Sequence, residues 1–268
     1  MKKIYPLIAL ILVLAIAGKK GFDYYQNQRA EQRAQVSYLL SRCVNQSLLS
    51  LFHLQSNDWK AKPEFYREEE SLLRAAVSEL PVQLLDGKPF SEWQAAVDIC
   101  NRLTENSNRQ HRTIFRPVAY MAKTGLWEME RLTDTRTLER RKKALYRVQV
   151  SAQAADSYLE DFQADVTSLL NNSLLSEESR RAAQEEIQRT VFSGYRHGNF
   201  SRKEVDLYLD RQQHFYQLLV DNPKGFAVRA GSLYFYDKKL HREVDGLNRA
   251  LLTSEIDFYN QWRQIVTR

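Results

Sequence analysis

Apolar residues recur along this chain in steps of three and four, the period of a helix face buried against a neighbour. The longest series starts at Leu138 and runs through Leu145, Val148, Ala152, Ala155, Leu159, Phe162, Val166 and Leu169, with only the slot at Arg141 charged. Alternating three- and four-residue steps are the heptad a/d pattern. They predict one helix over residues 135–170, capped by Asp134 and about 50 Å long. Ala152 and Ala155 in mid-seam predict the close approach of another helix.

The same period organises the rest. Val36, Leu40, Cys43, Ser47, Leu48, Leu51 and Phe52 predict a helix over residues 22–55. Pro63 and the acidic residues 68–70 suit the start of a helix whose apolar face is Phe65, Leu72, Leu73, Ala76, Val77 and Leu80. Residues 81–89 read as a turn-bearing connector. Ser91 with Gln94 forms a capping box for a helix through Trp93, Ala96, Val97, Cys100 and Leu103; residues 106–108 weaken it and Pro117 breaks or kinks it. Thr124-Gly125 punctuates the chain again. Ser176 caps a helix with Ala183, Ile187 and Val191 on its face, ending at residues 197–199. Ser201 with Glu204 is a second capping box, opening a helix through Tyr208, Leu209, Phe215 and Leu219 that stops at residues 221–225. Residues 226–236 read either as a hairpin turning at Gly231-Ser232 or as the opening of the last helix. That helix carries Leu240, Val244, Leu247, Leu251, Phe258, Trp262 and Ile265 on one stripe. The expected fold is all-α, an elongated bundle of six or seven helices.

One apolar stretch has no such period. Residues 4–18 are uncharged and lie between Lys2-Lys3 and Lys19-Lys20. As a helix they reach roughly 22 Å, short of a hydrocarbon core about 30 Å thick. Three readings follow: a retained signal-anchor with its N-terminus in the cytoplasm, a signal peptide cut after Ala15-Ile16-Ala17, or a buried helix of a cytosolic protein. Lys19 and Lys20 favour retention, because they would hinder export just after a cut and can snorkel to stretch a short span. The first two place the body outside the cytoplasm, with the lipid bilayer as the partner of residues 4–18. The lysine-rich start has a bacterial look, which makes the expected protein single-pass in the inner membrane with its body in the periplasm; a cleaved periplasmic or secreted form is the alternative. Residues 1–20 then form the membrane segment and residues 21–268 one extracytoplasmic domain, with a candidate boundary near residues 132–134. No second apolar segment follows, which argues against a two-span receptor.

Composition supports helices, with only 9 glycines and 6 prolines. The formal net charge is +6, but four of those charges belong to the lysines flanking residues 4–18. The body is close to neutral, so a nucleic-acid partner is not expected. No metalloprotease, nucleophile-elbow or nucleotide-binding motif occurs. The five histidines are scattered; His241 and Asp245, one turn apart, read as a solvated pair on a helix surface. No cofactor, metal or catalytic residue is assigned.

Two stretches carry candidate contacts. Arg136, Arg140, Lys143 and Arg147 read as the solvated face of a long helix or as a patch for an anionic partner. Tyr234, Phe235 and Tyr236 follow Leu233, and four such residues in a row cannot all face one core, so some are expected at an interface. A structural or protein-interaction role in the cell envelope is expected, with another envelope protein or a second copy as partner. A small-ligand-binding bundle working through a partner is the alternative.

Cys43 and Cys100 are the only cysteines, on stripes expected to face one core, and in an oxidising compartment they read as a disulfide. Thiol titration of the denatured, unreduced protein is expected to find no free thiol; two free thiols refute the bridge.

Overall fold

The computed structural model describes residues 5–56, 92–123 and 132–268; the side chains of residues 5–17, 49–56, 111 and 135 lie outside the described set. The expected helix face at residues 65–80, the connector up to Ser91, the Thr124-Gly125 break, and the Leu51 and Phe52 side chains therefore fall outside it. In chain order the elements are α1 (Tyr5–Ser56), α2 (Trp93–Lys123), α3 (Thr135–Asp156), α4 (Tyr158–Asn171), α5 (Glu177–Thr190), β1 (Arg196–His197), α6 (Arg202–Asp221), β2 (Phe226–Arg229), β3 (Ser232–Phe235), α7 (Lys238–Gln261) and β4 (Val266–Thr267). The fold is all-α, with two minor antiparallel ribbons, β1 with β4 and β2 with β3.

The helices pack in the order α5, α1, α2, α3, α6, α7, and α4 lies against α2 and α5. Cross-contacts give their directions. Cys43 bonds Cys100, and Ser107 donates to the Ser47 carbonyl at 3.3 Å, so α1 and α2 run the same way. Arg33 pairs with Glu178 at 2.7 Å and the Tyr195 hydroxyl donates to Asn45 at 3.0 Å, so α5 follows α1 too. The chain then returns along α3 and α4: Ser151 reaches Thr113, and Asp165 accepts from Gln110 at 3.3 Å. The pairings Arg141 with Tyr216 and Glu160 with His197 set α6 antiparallel to α3, and Tyr208 on Phe258 sets α7 antiparallel to α6. The β2–β3 hairpin thus lies at the end of the bundle remote from the start of α1.

The apolar stripes face inward as spaced. Val36, Leu40, Cys43 and Leu48 are buried in α1, and Leu240, Val244, Leu251, Phe258, Trp262 and Ile265 near the C-terminus. Among the described residues no helix is long and apolar enough to cross a membrane, and the side chains of residues 5–17, which carry the apolar run, lie outside that set.

Several local expectations are corrected. The long helix is two, α3 and α4, bent at Ser157. Its hydroxyl sits 3.3 Å from the Gln153 carbonyl and donates to Asp161 at 2.7 Å, and such back-bonding to the preceding turn bends helices. The seam residues from Leu138 to Val166 are buried all the same, and Leu169 is half-buried. Arg141, the charged slot of the seam, is buried with its guanidinium 5.8 Å from the Tyr216 ring centre. The helix opened by Ser176 ends at Thr190 rather than at residues 197–199. There Gly198 runs so close to the last strand that a Cβ would overlap the Gln264 carbonyl. At Ser201 the reciprocal bond of the capping box comes from another helix. Gln261 accepts from the Ser201 N–H at 2.7 Å and donates to Glu204 at 2.5 Å.

Residues 106–108 and Pro117 do not break α2, which continues to Lys123. Proline lacks the N–H that would bond the carbonyl four residues back, here that of Thr113. Ser151 of α3, fully buried, donates to that carbonyl at 2.8 Å. The orphaned acceptor is satisfied from a neighbouring helix, so the proline costs α2 little. Ser151→Ala is expected to destabilise the protein by about 1–3 kcal/mol, the usual cost of a buried polar group left unpaired. In a Pro117→Ala background, which restores the N–H, the same substitution should cost less. Equal costs in both backgrounds, measured by denaturant unfolding, would refute this account.

Candidate interaction surfaces

Where α1, α2 and α5 meet, the chain builds a polar clamp. Glu92, one residue before α2, accepts from the Ser176 N–H at 2.8 Å and from the Ser179 hydroxyl. It therefore caps α5, whose own N-cap Ser176 satisfies Ser179 N–H at 3.3 Å. Burial pushes the Glu92 carboxyl up. The hydrogen bonds from Ser176 and Ser179 and the nearby Arg29 charge outweigh it and hold the group below its ordinary value. Sequence reading overlooked Glu92 because its partners lie 84 and 87 residues away. Above this clamp the Cys43 and Cys100 sulfurs stand 2.07 Å apart with their Cα atoms at 5.6 Å. No cysteine is free. The loop between them spans 57 residues. For a loop of that size the chain-entropy account gives roughly 4 kcal/mol of stabilisation.

The aromatic run at residues 234–236 is split by strand alternation. The hairpin pairs Phe226 with Phe235, Val228 with Leu233 and Ala227 with Tyr234. Phe235 turns inward between Phe226 and His241, stacked on the latter at 5.0 Å. Tyr234 and Tyr236 face solvent, 49% and 64% exposed. Arg229, on the same outer face, lies 5.7 Å from the Tyr234 ring centre and reaches the Tyr236 hydroxyl at 3.5 Å. The turn is made by Ala230 and Gly231, φ 48° and 73°, one residue earlier than expected; two left-handed residues match the natural twist of a tight hairpin. The exposed patch is Arg229, Tyr234 and Tyr236, with Phe235 its support. Arg229 was not foreseen because only the register brings it there.

Arg136, Arg140, Lys143 and Arg147 are all exposed on α3, spaced so that they share one face. They begin near the hairpin end of the bundle. Tyr146 of the same helix is 66% exposed, so the face is cationic with an aromatic edge. His241 and Asp245 do not act together: Asp245 pairs with Arg249 at 2.6 Å. Among the described residues no three His, Cys, Asp or Glu side chains are grouped to hold a metal ion.

The described residues also form concavities. A groove of about 1110 Å³ lies between α1 and α5, floored by Ala30, Ala34, Ser37 and Ala182. Ser37 Oγ is buried there with no hydrogen-bond partner among the described residues. A cleft of about 430 Å³ between α6 and α7 is lined by Glu204, Tyr208, Arg211, Asp257 and Gln261. Burial pushes the Tyr208 phenol up to about 12, against a hydrogen bond from Gln212.

No family model matches the chain, no curated protein matches its sequence and no solved structure matches its fold.

Because the folded Glu92 carboxyl is depressed, its stabilisation is complete above the ordinary glutamate value of about 4.3 and drains as pH falls below it. Wild type is therefore expected to lose its stability advantage over Glu92→Gln as pH falls from about 5 to about 3. Parallel stability profiles over that range, followed by thermal melts, would show that the clamp does not depend on the carboxylate.

Proposed function

We propose that this chain is a membrane-anchored protein of the cell envelope whose helical body works outside the membrane by binding another envelope protein or a second copy of itself. The observation that carries the reading is the course of α1. It leaves the apolar run of residues 4–18, stays exposed on every side over residues 18–32, and enters the core only at Val36. A helix that is apolar, then solvated all round, then buried on one stripe suits a membrane segment, a stalk and a domain in succession. The Cys43–Cys100 geometry agrees with an oxidising compartment. On this reading the buried seam of α3 and α4 runs the length of the body. Its far end presents Arg229, Tyr234 and Tyr236, a cation and aromatics of the kind that anchor protein interfaces. The cationic face of α3 beside it suits an acidic partner.

A small-ligand role has one observation in its favour, the polar cleft between α6 and α7. Gln261 there is already engaged by Ser201 and Glu204, so the cleft reads as a helix junction before it reads as a binding site.

A reporter active only outside the cytoplasm, fused after Arg268, is expected to give signal, and the chain is expected to stay with membranes through alkaline extraction. Signal from a cytoplasmic reporter alone would refute the location, and a mature chain shorter by about 17 residues would replace the anchor by a cleaved signal peptide.

A further inference from the structure

On the reading of residues 4–18 as a membrane segment, on which this rests, we infer that Phe22, Tyr24 and Tyr25, with Lys19 and Lys20, form a collar that docks in the lipid headgroup layer. These three rings are 61%, 65% and 48% exposed on a lone stretch of α1, before the first residue that enters the core. At about 100° per residue, Tyr24 points roughly 200° and Tyr25 roughly 300° round the helix from Phe22. A partner protein covers one stripe of a helix, whereas a bilayer interface surrounds it. The rings cover an arc of about 160°, and Lys19 and Lys20, roughly 60° and 160° round from Phe22, fill the rest, so the five residues together surround the helix as an interface requires.

Their height fits as well. Residues 4–18 span roughly 22 Å, so centring them in a core of about 30 Å leaves about 4 Å at each end, or three residues. The core boundary then falls near residue 21. The headgroup layer beyond it, about 5–7 Å deep, covers the next four residues, where the rings stand. Lys19 and Lys20 fall just inside the boundary, where lysine stems extend outward to the phosphates. Tyrosine pairs an apolar ring with a polar tip, the chemistry of membrane–water belts. Helix side chains lean toward the N-terminus, so Gln28 and Arg29 reach back over the two tyrosines. Gln28 donates to the Tyr24 hydroxyl at 2.8 Å, and the Arg29 guanidinium lies 4.7 Å from the Tyr25 ring centre. The collar lengthens a span that is otherwise short, and it leaves residues 26–33, about 12 Å of helix, between headgroups and body.

The test uses the full chain in vesicles of phosphatidylcholine and phosphatidylglycerol, with one nitroxide-labelled cysteine at Gly18, Asp23 or Asn27. The native cysteines are bonded to each other, Gly18 has open space for a side chain, and the other two positions are exposed. Relaxation by oxygen should dominate at Gly18→Cys and by a water-soluble nickel chelate at Asn27→Cys, with the crossover at Asp23→Cys. Replacing Phe22, Tyr24 and Tyr25 together by serine should shift that crossover by about one helical turn while the chain still floats with the vesicles. A label at Asp23 as open to nickel as that at Asn27, one shielded from both reagents, or an unmoved crossover overturns the collar and leaves the anchor standing. A chain that does not float with vesicles removes the anchor, and the collar falls with it.

Discussion

Three helices of this protein, α1, α2 and α5, run side by side in the same direction, and the rest of the bundle depends on that arrangement. Parallel neighbours cannot be joined by a tight turn, and their macrodipoles align unfavourably, so something other than connectivity has to hold them. Here two cross-links do so. At the start of α2 and α5 Glu92 spends its carboxylate on the N-terminus of α5, where a negative charge also compensates the helix dipole. Further along, Cys43 and Cys100 tie α1 to α2 covalently. With that slab fixed, α3 and α4 return across it, and α6 and α7 close the far side.

The sequence displays what is decided locally and conceals what a distant partner decides. Asp134, Ser176 and Ser201 cap helices as their spacing implies, because a cap needs only residues two or three positions on. The inward stripes are legible for the same reason. Pro117 and the Ser201 box are misread, since their outcomes rest on Ser151 and Gln261, which lie 34 and 60 residues away. Each carries a local signal that points to a break or a self-contained box, and each is resolved by a group on another helix. Of the candidate surface, the tyrosines were visible as a surplus of aromatics. Which of them face outward, and that Arg229 joins them, follows only from the strand register.

The polar contacts inside the bundle share a pattern. Ser107 to Ser47, Ser151 to Thr113 and Gln261 to Ser201 each join one helix to the backbone of another element. Such bonds fix the sliding position of neighbouring helices more sharply than apolar packing, because a displacement of one turn leaves a buried group unpaired. The far surface, with Tyr234, Tyr236 and the cationic face of α3, is thereby carried on helices that keep their register.

The course of α1 also determines how the protein bears a pull. Tension applied at its N-terminus runs along the helix axis into a region held on two flanks by helices of the same direction. The contacts with α2 and α5 are then loaded in shear, all together, instead of being peeled apart one at a time. Arg33 with Glu178 meets the force first and the Cys43–Cys100 link stands behind it. The exposed and the buried stretches of α1 share one continuous helix with no slack hinge between them, so displacement at one end is transmitted to the other.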